Sequence, residues 1–219
     1  MTTAPATCCG SPAKQGHRRG AEARMRVKSI LSTAVSAGAK AITDYLDMTG
    51  DANACDLPEY WLTARISDAF FRHNEHYVFL EHPISEILKY AKNDDDSILS
   101  LQRARKTGKI DIALYGKKLL PTEASLEALI EIKIMNNDWC FNEDADRILD
   151  IAKVCGGQIN GIVGGLFNCK SEIQAKLLIE ESEKRLGELE GMSKIAIMAS
   201  PIIRDARGAF SGFAAALIC

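Results

Sequence analysis

Three absences narrow the reading before any motif is considered. The chain of 219 residues contains no apolar run near the roughly 18 residues that a membrane span needs. Its start, Met1 to Cys9, has neither a charged n-region nor an apolar h-region, which predicts no secretory leader. The seven cysteines (8, 9, 55, 140, 155, 169 and 219) include no Cys-x-x-Cys pair. The adjacent Cys8 and Cys9 suit neither a zinc knuckle nor an easy disulfide. Free thiols without a leader predict a reducing, cytoplasmic setting, with Cys155 and Cys169 as small core residues.

Other signatures are missing too. The glycine-rich stretch from Gly156 to Gly165 lacks the Gly-Lys-Ser/Thr of a phosphate loop and the strand-then-glycine order of a dinucleotide fingerprint. A helix end and close backbone packing explain it better. His73, His76 and His82 lack His-Glu-x-x-His spacing, so they read as surface histidines rather than zinc ligands. No internal repeat, heptad or low-complexity array is visible. The run Asp94-Asp95-Asp96 reads as a solvated loop or cap.

What is present is an ordinary folded composition, 47% apolar and 26% charged, with a net charge of −2. The near balance conceals an asymmetry. Residues 1–28 carry six basic side chains and one acid, and the remainder 21 basic against 28 acidic. We expect residues 1–21 to be a basic flexible tail and residues 22–219 to be a single domain.

Periodicity predicts the elements. Residues 22–48 form an amphipathic helix, with Ile30, Leu31, Ala34, Val35 and Ile42 on one face. A second helix follows Pro58, and His76 to Glu81 alternate as a strand. Ile84, Ile87, Leu88 and Ala91 suggest a turn or two of helix. Residues 109–115 alternate strictly, with Ile110, Ile112 and Leu114 on one face and Asp111, Ala113 and Tyr115 on the other. In residues 127–135, Ile130, Ile132 and Ile134 share one face, while Leu129, Glu131, Lys133 and Met135 share the opposite one. A helix after Asn142, a strand at 159–167, a helix at 171–190, a strand at 194–199 and an apolar end complete the chain. The pattern is α/β: a central mixed β-sheet flanked by helices.

Two ionisable groups side by side in an apolar strand require a cause, because an unpaired buried charge costs several kcal/mol, on the order of 2–7 even for neutral polar groups. Asp111 on the preceding strand supplies a second carboxylate. An Asp and a Glu converging at one sheet edge make a hard oxygen site suited to Mg2+ or Mn2+. Lys133 projects to the same side and can orient water or steady developing negative charge.

This arrangement resembles the PD-(D/E)XK, or restriction-endonuclease-like, nuclease superfamily. The carrying residues are Asp111 in Gly108-Lys109-Ile110-Asp111-Ile112 and the signature Glu131-Ile132-Lys133, over a match of about residues 57–167. The resemblance implies an αβββαβ core, here with an extra N-terminal helix. It implies that Asp111, Glu131 and the backbone carbonyl of Ile132 bind the metal. Lys133 then positions or activates the attacking water, with a lowered pKa if it serves as a base. Glu59 takes the place of the first-helix acid, catalytic and metal-binding, with Glu81 as its rival. The implied activity is Mg2+- or Mn2+-dependent phosphodiester hydrolysis, with DNA favoured over RNA and a homodimer as one way to cut two strands. Arg103, Arg105, Lys106, Lys109, Lys117 and Lys118, with Arg147, are the candidate nucleic-acid contacts. The alternative is a silent nuclease-like domain that binds nucleic acid or protein, in keeping with an acidic body.

Overall fold

The computed structural model describes residues 12–50, 53–89, 108–117, 125–135, 142–155, 159–188 and 196–218. Its elements are α1 (Pro12–Thr49), α2 (Glu59–His73), β1 (His76–Pro83), α3 (Ile84–Lys89), β2 (Lys109–Gly116), β3 (Leu126–Met135), α4 (Asn142–Val154), β4 (Asn160–Cys169), α5 (Glu172–Gly187), β5 (Ala196–Ala199), β6 (Ile203–Arg204) and β7 (Phe210–Leu217). Helix α1 starts at Pro12, ahead of the apolar periodicity, so part of the segment read as a tail is helical. The two-residue β6 is too short to leave a period in sequence. Residues 93–96 and Trp139 lie outside the described residues.

The strands form one mixed seven-stranded sheet in the order β1-β2-β3-β4-β7-β5, with β6 also pairing β7. All pairs are antiparallel except β3 with β4. That parallel pair needs a crossover, and α4 supplies it. One face packs against α1 and α2 through Ile42, Leu62, Ile66, Ile112, Ile130, Ile132 and Phe213. The other packs against α3, α4 and α5 through Ile87, Tyr115, Leu129, Ile148, Phe167 and Ala175. Two buried layers on one sheet explain why β3 and β4 read as nearly continuous apolar runs. No helix among the described residues is long and apolar enough to cross a membrane.

Two residues break the expected alternation. Ile110 packs with the α3–α4 layer instead of with Ile112 and Leu114. The β1–β2 ladder pairs Leu80 with Ile112 and His82 with Ile110 but skips Glu81, whose φ of 48° is left-handed. A left-handed residue turns the strand and ends simple period two. Likewise Leu126 and Leu129 share the α4 side, next to the register shift between Leu114 and Tyr115.

Glycines allow close layers at two places. A Cβ on Gly165 would meet the carbonyl oxygen of Lys133 at 2.6 Å, so β3 and β4 approach closely beside Lys133. A Cβ on Gly38 in α1 would strike the buried Phe213 ring. Ala at a helix interior gains roughly 1 kcal/mol over Gly, whereas overpacking costs about 1–3 kcal/mol. Gly38→Ala is therefore expected to lower stability despite its better helix propensity, read as a lower urea midpoint at unchanged m-value.

His73 is exposed as expected, but the other two histidines are not. His76 is buried, its Nε2 3.0 Å from Glu127 Oε2, and His82 Nε2 lies 3.1 Å from the Tyr115 hydroxyl. Pairing with a carboxylate and a phenol offsets part of the burial cost, although His76 Nδ1 is buried without a hydrogen-bond partner. Cys155 is buried, as its residue type predicts.

Candidate active site

The β2–β3 ladder runs from Tyr115 and Leu126 to Ile112 and Ile130, and no register pair follows it. Asp111 and Glu131 come next on their strands. Past the last pair, the Ile132 N–H needs another acceptor, and it donates to Asp111 Oδ2 at 2.7 Å. In an extended strand the N–H and C=O of one residue point to the same side, so the Ile132 carbonyl faces the same gap. Asp111 is thus anchored between the strands by backbone geometry.

Glu131 shares its face with Leu129 and Met135, which belong to the α3–α4 layer, and its side chain is only 2% exposed. It meets α4 there. Arg147 Nη2 lies 2.5 Å from Glu131 Oε1 and 2.9 Å from Asp144 Oδ1. The Arg147 side chain is 16% exposed, and its Nε is buried with no hydrogen-bond partner. Burial pushes the Glu131 carboxyl up to about 9; Asp111 adds to the rise, Arg147 offsets part of it, and Asp144 and a hydrogen bond shared with Asp111 raise it further.

Lys133 Nζ lies 3.6 Å from Glu59 Oε1, and Glu59 Oε2 accepts the Ile134 N–H at 3.3 Å. Burial works to lower the Lys133 pKa, but the carboxylates of Asp144, Glu59, Asp111 and Glu131 outweigh it, and the net shift is upward. The lowered pKa that a general base requires is not what these neighbours produce. Lys133 is held as an ammonium.

The structure brings together Asp111, Glu131, Ile132, Lys133 and Glu59, but in an unequal way. Glu59, the first residue of α2, reaches Lys133 and β3 rather than the two strand carboxylates. Glu81 is 61% exposed, with its Oε2 3.8 Å from Lys109 Nζ. Among the described residues, no group of three or more His, Cys, Asp or Glu side chains is placed to hold a metal ion. The oxygen site therefore has two carboxylates, with the Ile132 carbonyl beside them.

The expected basic surface is only partly described. Arg103, Arg105, Lys106 and Lys118 lie outside the described residues. Lys109 begins β2 and Lys117 follows its end, so the two flank opposite ends of the strand. The Lys117 ammonium bonds Asn74 Oδ1 and lies 5.7 Å from the Tyr77 ring centroid. Arg147 turns inward onto Glu131 instead of outward to a groove.

Asp144 was legible only as an acid in a helix first turn, yet it ties Arg147 and acts on both Glu131 and Lys133. Its signal was positional: Asp144 and Arg147 are three apart on the same side of α4 as the buried Ile148 and Ile151. A separate cleft of about 580 Å³ lies at the other end of the β2–β3 hairpin and includes Arg26, His76 and Glu127, none of them part of this site. Compared with protein-family models, with curated proteins and with solved structures, the chain matches none.

Proposed function

We propose that the chain is a divalent-metal-dependent nuclease with a restriction-endonuclease-like core, hydrolysing phosphodiester bonds, with DNA its preferred substrate. The observation that carries this reading is the pairing of Asp111 with Glu131 at a break in the β2–β3 ladder, with Lys133 two residues on. The element order supports it: α2, β1, β2, β3, α4 and β4 follow the αβββαβ order, with the short α3 between β1 and β2.

The donor set fits a hard divalent cation. Two carboxylates and a strand carbonyl are the oxygen ligands that Mg2+ and Mn2+ take. The upward shift of the Glu131 carboxyl is further support, since burial and the nearby Asp111 carboxylate disfavour its charge and an added cation would relieve that cost. Asp111, Glu131 and the Ile132 carbonyl are the residues that would hold the ion. When bound, it supplies Lewis acidity and lowers the pKa of water.

The protein's own groups do the rest. Lys133, kept as an ammonium within electrostatic reach of Glu131 and Asp111, stabilises negative charge as it develops on the phosphoryl oxygens. Glu59 positions Lys133 by an ion pair and fastens itself to β3 through the Ile134 N–H. Its role is thus orientation of the lysine rather than coordination.

A second reading, a nuclease-like domain that binds without cutting, is favoured by one observation: Glu59 is engaged with Lys133 and the strand acids number two. Cleavage of end-labelled single- and double-stranded DNA and RNA with Mg2+ or Mn2+ separates the readings. The nuclease reading expects products that vanish with chelator. Intact substrates under every metal, beside full nucleic-acid binding, would establish the silent domain.

A further inference from the structure

We propose that Arg147 is a built-in counter-cation for Glu131, which a divalent ion must displace, so that this guanidinium sets the metal concentration at which the site fills. The inference rests on the metal-dependent reading above and concerns a residue outside its Asp111, Glu131 and Lys133 set.

The geometry is that of a seat already taken. Arg147 Nη2 is 2.5 Å from Glu131 Oε1, and the two side chains are 16% and 2% exposed. Asp144 holds the same nitrogen from α4 at 2.9 Å, so the guanidinium has a second anionic partner on its own helix when Glu131 is given up. Its Nε is buried without a hydrogen-bond partner. A strut built to fix Glu131 would use the planar fork of the guanidinium in two parallel bonds. Here one nitrogen serves two acids, and charge is what holds it.

The direction of the effect follows from the change in local charge. If Glu131 begins protonated, exchange of its proton for a divalent ion raises the site charge by one. If it begins ionised, the rise is two. A guanidinium in contact opposes both changes, because like charges at this distance repel strongly in a partly buried site. Removing the charge of Arg147 therefore tightens metal binding in either protonation state. A purely orienting role for Arg147 gives the opposite sign.

The test is calorimetric titration of MnCl2 into the full chain, without nucleic acid, for the wild type, Arg147→Gln and Arg147→Lys. The expected result is binding at least about tenfold tighter in Arg147→Gln, with Arg147→Lys within about threefold of wild type. Heat in Arg147→Gln with none in the wild type is the same result in stronger form. Unchanged or weaker binding in Arg147→Gln overturns the counter-cation, while wild-type heat leaves the metal site standing. No heat in any of the three proteins overturns both. If Arg147→Gln does not fold, the wild-type Arg147 15Nε–H resonance, assigned against Arg147→Lys, carries the test with Mg2+. It is expected to shift at the midpoint of a matching calorimetric titration with MgCl2, and a resonance that stays in place while that titration releases heat overturns the proposal.

Discussion

Lys133→Ala is expected to reduce metal-dependent cleavage by at least about 100-fold, the usual cost of losing one preorganised group that meets developing charge. Lys133 is 37% exposed and pairs with a Glu59 that is itself 43% exposed, so the fold should survive the change. Its far-UV circular dichroism and urea midpoint should stay close to wild type. The neighbouring carboxylates raise the Lys133 pKa, which assigns it the role of a fixed positive charge. Lys133→Arg should then keep a measurable share of the rate that Lys133→Ala loses. An Arg variant as inactive as the Ala variant would argue for proton transfer instead. Asp111→Asn completes the set. The amide can still accept the Ile132 N–H, so the strand gap stays intact while one ligand charge is removed. Cleavage and Mn2+ heat should both disappear; retention of either would remove Asp111 from the site.

Glu131→Gln is expected to make the metal-free protein more stable at pH 7 while destroying metal binding. Burial, with Asp111 beside it, pushes the folded carboxyl up to about 9 from an ordinary 4.5. Below that lower value both states hold the proton and there is no penalty. Between the two values the unfolded chain releases its proton and the folded chain does not, so stability falls as pH rises, by about 1.4 kcal/mol per unit. By neutral pH the loss reaches about 3 kcal/mol, and above the folded value it levels off. Glutamine has no such slope. After allowance for the weakened contact with Arg147, a gain of about 2 kcal/mol remains, or roughly 4–8 °C in Tm for a chain of this size. Melting curves from pH 5 to 9 check it: the wild type should lose Tm with rising pH, and Glu131→Gln should lose less. Saturating Mn2+ should restore wild-type Tm and leave the variant unmoved. Parallel curves for the two proteins would mean that Glu131 ionises normally in the fold.

Much of this site was legible because β-structure has a period of two. Glu131 and Lys133 were placed two apart on one strand once residues 127–135 were read as a strand, and Asp111 fell on the neighbouring strand. Neighbouring elements were legible for the same local reason, down to α3 in a stretch without clear pattern. The alternation failed at Ile110 and Leu126, where a left-handed Glu81 and a register shift act across strands. Neither feature leaves a mark on the strand it disturbs.

The sequence by itself determined the mixed α/β architecture and the acid–acid–lysine alignment, because both follow from periodicities that operate within a few residues. Tertiary structure alone decided what those groups touch. Glu59 is 75 positions from the Ile134 amide it holds, and Arg147 is 16 from Glu131. No local rule links residues so far apart; packing α2 and α4 on opposite faces of one sheet does. That packing sets the Glu59 carboxylate against Lys133 and seats the Arg147 guanidinium on Glu131.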